Sequence, residues 1–120
     1  MSAKARHTVR QLPISCELSE GGQRSRREEI SHKLFSGCKD VRELKDGYEF
    51  VFPGGEKWTE GLLRFIAEER ECCRFFAFKL LFEPDLGPIS LIMRGPAGTK
   101  DFLAGQFTEE FAMKHLAKHV

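Results

Sequence analysis

No apolar run in this sequence approaches the 18 or more residues that a membrane span requires, and its first dozen residues lack the apolar core of a signal peptide. The expectation is a cytoplasmic protein with no membrane partner. Charge of one sign is also missing: 19 Lys and Arg stand against 18 Asp and Glu, a net charge of +1. Binding to a phosphate backbone needs a concentrated basic surface, so no nucleic-acid partner is expected. The nucleophile-elbow pattern G-x-S-x-G and the phosphate loop G-x-x-x-x-G-K-[ST] are both absent, which disfavours an ordinary serine hydrolase and a nucleotide-phosphate cradle. There are no paired C-x-x-C motifs, no internal repeats and no low-complexity tract.

What is present suits one compact domain. In 120 residues, 41% are hydrophobic and 11 are Phe, enough to bury a core without a disulfide scaffold. Residues 1–12 carry Lys4, Arg6 and Arg10 ahead of Pro13 and read as a flexible leader. A single domain is expected over 13–107, with a helical extension over 108–120. Within the domain, Ile14 to Leu18 is a short β-type run, and Arg24 to Phe35 has helical spacing. Val41 to Lys45 and Tyr48 to Phe52 flank Asp46-Gly47, a dipeptide that supplies positive φ in two-residue hairpin turns. Lys57 to Cys73 is again helical in period. Phe76, Phe78, Leu80 and Phe82 alternate with smaller or polar residues, as do Ile89, Leu91 and Met93, and the breakers between Pro84 and Pro88 mark the tip of a second hairpin. Thr99 is placed to cap a further helix through Phe102 and Leu103. The order β-α-β-β-α-β-β-α predicts an α+β fold: an antiparallel sheet of two hairpins plus an N-terminal strand, with helices packed on one face. The aromatic faces of Tyr48, Phe50, Phe52, Phe76, Phe78 and Phe82 are expected to meet the helix bearing Trp58, Leu62, Phe65 and Ile66.

The chemistry concentrates at the end of the central helix. At roughly 100° per residue, Glu69 falls in the middle of the stripe defined by Trp58, Leu62, Phe65 and Ile66. A carboxylate there is anomalous, because an unpaired buried charge is costly. Positions 69, 72 and 73 are i, i+3 and i+4, so one carboxylate and two sulfurs share a helical face. Thiolates bind zinc or another thiophilic ion, and a carboxylate completes such a site or accepts a proton. The competing reading makes Cys72 and Cys73 small core hydrophobes. A bond between these adjacent cysteines would be strained, their Cα atoms being about 3.8 Å apart. In a reducing compartment free thiols are the expected state of all four cysteines.

Four segments carry a resemblance: Pro13-Ile14-Ser15-Cys16-Glu17-Leu18, Asp46-Gly47-Tyr48 with Phe50, Glu69-Arg70-Glu71-Cys72-Cys73-Arg74-Phe75 with Phe78, and Gly95-Pro96-Ala97-Gly98-Thr99-Lys100 with Phe102-Leu103. Over about residues 12 to 104 the chain resembles a family of small uncharacterised bacterial proteins. That family shares a P-x-x-C-x-L start, an E-R-x-C-C-x-F-x-F centre and a G-P-x-G-T-x-x-F-L end. The chain departs from it at Phe76, where Leu is more familiar, and in a His-containing tail. The resemblance implies a fold unit and no reaction, and it adds Cys16 to the thiol pair. The expected site is therefore Cys16, Glu69, Cys72 and Cys73, holding a soft metal ion or a small thiophilic ligand, or acting through thiol chemistry. Two alternatives stand beside it: an enzyme acting on a thiophilic or organometallic substrate, and a non-catalytic homodimeric interaction domain with structural cysteines. Cys38 reads as an incidental thiol. His7, His32, His115 and His119 read as solvated, although His115 and His119 share one helical face.

Overall fold

The computed structural model describes residue 29 and residues 31–106. A first helix, described over 31–35 (α1), leads into strands β1 (Asp40–Leu44) and β2 (Gly47–Phe52), then helix α2 (Glu56–Cys72). Strands β3 (Ala77–Phe82) and β4 (Ile89–Arg94) follow, and helix α3 (Thr99–Gln106) closes the described chain. The leader, the Ile14 to Leu18 strand and the extension after 107 lie outside the described residues. The fold is α+β, as expected.

The four strands form one antiparallel sheet in the order β1-β2-β4-β3. Each hairpin pairs locally, and the two join through their second strands, with Phe50 opposite Leu91 and Phe52 opposite Ile89. Opposed residues share a sheet face, so Phe50, Phe52, Ile89, Leu91 and Met93 build one apolar surface, and all five are buried. Leu34 and Phe35 of α1, Leu62 and Phe65 of α2 and Leu103 of α3 complete the same core. Phe35 is its hub: its ring stands edge-on to Phe50, Phe52 and Phe65 at centroid distances of 4.9, 5.3 and 5.2 Å, geometry that suits the opposite charges of ring edge and ring face. Truncating a ring such as Phe65 costs about 3 to 5 kcal/mol.

Three local expectations are corrected. The first hairpin pairs Leu44 with Gly47, so Lys45-Asp46 is its two-residue loop and Gly47 lies in β2 without positive φ. Glycine is needed there for a close approach, since a Cβ would run into the backbone carbonyl of Met93. Phe82 is 49% exposed rather than core. It ends β3, the edge strand, on the row occupied by the half-buried Phe78 and Leu80, and the helices do not cover that far end. Thr99 is the first residue of α3 rather than its cap, and its hydroxyl donates backwards to the Pro96 carbonyl at 2.6 Å. The second hairpin tip falls as expected: Glu83 N–H donates to the Pro88 carbonyl at 3.2 Å, with Asp85 and Leu86 at positive φ.

Candidate functional site: the sulfur pair at the end of the central helix

Helix α2 begins after Gly55, whose φ of 115° is open to glycine, and buries Leu62, Phe65, Glu69 and Cys72. Their spacings of three, four and three residues make one continuous stripe on a 3.6-residue helix. The stripe faces the core, so its last turn carries a carboxylate and a sulfur into the apolar interior. Cys73 leaves the helix with φ −120° and ψ 84°, yet its N–H still donates to the Glu69 carbonyl at 2.6 Å. That bond keeps the second sulfur beside the first. Phe76 N–H returns to the Cys73 carbonyl at 3.4 Å, turning the chain into β3.

Glu69, Cys72 and Cys73 are each 0% exposed. The burial deduced for Glu69 from helical phase is thus observed. The Cys73 thiol donates toward Cys72 Sγ at 3.5 Å, so these two sulfurs touch without being bonded, as the strain of an adjacent-residue disulfide requires. Cys72 is disulfide-bonded, whereas Cys73 is not. The expectation of four free thiols is corrected at Cys72. It rested on the redox poise of a compartment, while the sulfur itself is sealed from solvent and so from the small thiols that would reduce it. Cys16 lies outside the described residues. Among the described residues no group of three or more His, Cys, Asp or Glu side chains is arranged to hold a metal ion. The described members of the expected site are therefore the pair of sulfurs and the carboxylate.

Aromatic rings follow the pair directly in sequence. Phe75 and Phe76 lie 4.4 Å apart between centroids, Phe75 meets Phe102 of α3 edge-on at 5.0 Å, and Phe76 contacts Phe78 at 5.6 Å. Phe75 and Phe76 are buried, so they serve as packing rather than as a stacking platform for bases. Cys38 stands apart in function: its thiol donates to the Asp40 carbonyl at 3.1 Å, and burial pushes its pKa up to about 11. A thiol held protonated is a poor nucleophile and a poor ligand, in keeping with an incidental role. His32 is exposed on α1; His7, His115 and His119 lie outside the described residues.

The Gly95 to Lys100 segment is a strand-to-helix turn beside an open cavity of about 500 Å³ lined by Glu43, Asp46, Tyr48 and Lys100, among others. Two nearby cations are engaged, Lys100 with Glu43 and Arg94 with Asp46 at 2.8 Å. The second pair holds the Asp46 carboxyl below the usual carboxylate range, chiefly through the Arg94 hydrogen bond. The cavity is thus close to charge-balanced and does not resemble an anion cradle. No helix among the described residues is long and apolar enough to cross a membrane. No protein-family model matches the chain, and neither the curated proteins nor the solved structures give a significant match to it.

Proposed function

We infer that this protein is a soft-ion binding protein whose Cys72 and Cys73 thiolates, once both are reduced, clasp one thiophilic d¹⁰ cation such as zinc or cadmium. The observation that carries this reading is the 3.5 Å separation of the two buried sulfurs. Two thiolates about 2.3 Å from one tetrahedral ion stand about 3.8 Å apart, so a shift of a few tenths of an ångström converts the observed pair into a chelate.

Two sulfurs alone leave a tetrahedral ion half-coordinated. Glu69, one turn earlier on the same stripe and fully buried, is the proposed acceptor of the displaced thiol protons. Cys16 is the proposed third sulfur.

Titrating the fully reduced chain with cadmium, followed by thiolate-to-metal absorption in the ultraviolet, tests the reading. One ion per chain with loss of the signal in Cys72→Ala and Cys73→Ala, but not in Cys38→Ala, supports it. A reduced chain that takes up no cadmium, or one that binds equally well without Cys72 and Cys73, rejects it.

A further inference from the structure

The two edges of the described sheet, β1 and β3, are guarded differently. β1 carries charge at three of its five positions, Asp40, Arg42 and Glu43, whereas β3 carries Lys79 alone in six. Charges, prolines and bulges are what keep an edge strand from pairing with another chain. β3 contains no proline, and its pairing with β4 runs without a bulge from Ala77 opposite Arg94 to Phe82 opposite Ile89. Toward the hairpin tip, Leu81 is 44% and Phe82 49% exposed.

One bond decides which backbone groups line the open edge. Glu83 N–H donates to the Pro88 carbonyl, and successive residues of a strand aim their N–H and C=O groups to opposite sides. The groups of Lys79 and Leu81 therefore face β4, and those of Phe78, Leu80 and Phe82 face outward. We propose that β3 is a docking edge for a second copy of this chain, joined antiparallel about a twofold axis at Leu81, so that two four-stranded sheets become one of eight strands.

The occupant is a second copy because this register is self-complementary. With Leu81 opposite the partner's Leu81, Lys79 stands opposite the partner's Glu83, and the symmetry repeats that ion pair on the other side of the axis. Both pairs lie on the row that faces away from the core. On the inward row Leu80 meets the partner's Phe82, which covers the end of the strand that the helices leave open. Leu80 and Phe82 both have outward-facing backbone groups, so each such pair exchanges two hydrogen bonds. Moving the axis to Leu80 sets Lys79 opposite the partner's Leu81 and Glu83 opposite the partner's Ala77, and the facing ion pairs are lost. The association uses neither sulfur of the helical pair and is independent of the soft-ion reading.

Sedimentation velocity of the full chain at concentrations from about 1 to 200 μM, a range that reports micromolar association, tests the proposal. The expected mass rises from the 13.7 kDa of one chain to twice that value and no further. Lys79→Glu sets like charges against each other twice and should raise the dimer dissociation constant by on the order of tenfold, and adding Glu83→Lys to it should restore the wild-type value. Leu81→Cys places a sulfur on the axis, in a non-hydrogen-bonded pair whose Cα separation of about 4.5 Å admits a disulfide. Mild oxidation should therefore give a covalent pair of chains on a denaturing gel without reductant, and Lys79→Cys should give none. A chain that stays monomeric throughout, its edge then left to a strand of another protein, overturns the proposal. So does association that grows past two copies, a dimer that Lys79→Glu leaves unchanged, or a Leu81→Cys chain that fails to cross-link.

Discussion

Replacing Cys72 by Ala removes the disulfide that this residue makes. The chain-entropy relation assigns a cross-link that closes a loop of some tens of residues about 4 kcal/mol at 25 °C. Domains of this size are stable by only about 5 to 15 kcal/mol, so the change removes a large share of the total and lowers the melting temperature by on the order of 20 °C. Urea unfolding followed by the fluorescence of Trp58 is suited to this, since that ring is the chain's only tryptophan and packs on Phe52 at 6.1 Å. The wild-type chain without reductant should exceed Cys72→Ala by about 4 kcal/mol. With a dithiol present the two should converge to within about 1 kcal/mol, the worth of one small buried side chain. Equal stability of the two chains without reductant, or a wild-type chain indifferent to reductant, would refute a stabilising disulfide at Cys72.

Glu69→Gln keeps the shape of the side chain and removes its charge. It should leave the far-ultraviolet circular dichroism unchanged while weakening cadmium binding to the reduced chain by about tenfold or more; unchanged affinity would remove the carboxylate from the site. Gly47→Ala should destabilise the fold by on the order of 3 kcal/mol in chemical unfolding, because the new methyl has nowhere to go but into the Met93 carbonyl of the neighbouring strand. The Cys38 thiol, raised from 9.0 to about 11 chiefly by burial, keeps its proton in the folded chain after the unfolded chain has lost it. Its contribution is complete below pH 9 and is lost as pH rises toward 11, a decline on the order of 2 kcal/mol. Unfolding curves of Cys38→Ala across that window should lack this part of the decline, and a parallel decline in both chains would contradict it.

The elements themselves were readable along the chain because each rests on a local period. Phe50 and Phe52, or Leu91 and Met93, alternate with half-buried or polar residues, whereas Leu62, Phe65, Glu69 and Cys72 recur at helical spacing. The same periodicity located Glu69 inside the core before any coordinates. What local pattern does not contain is which strand lies beside which. Phe82 continues the inward row of β3 in perfect phase, yet the order β1-β2-β4-β3 puts that strand at the edge, where its far end stays open. Gly47 read as a turn residue because Asp-Gly is a turn signal, whereas its smallness serves an approach by β4, some 45 residues later in the chain. The bonding of Cys72 is tertiary in the same sense. Sequence shows four sulfurs, and only the fold decides which of them meet.

The most direct test of the site is X-ray absorption spectroscopy at the zinc edge on the reduced, zinc-loaded chain. Zinc held by Cys72 and Cys73 predicts a shell of at least two sulfurs at about 2.3 Å, with any carboxylate oxygen at about 2.0 to 2.2 Å. A spectrum fitted by oxygen and nitrogen alone at about 2.0 to 2.2 Å, with no sulfur shell, would contradict the assignment of the buried sulfur pair as the ion's ligands.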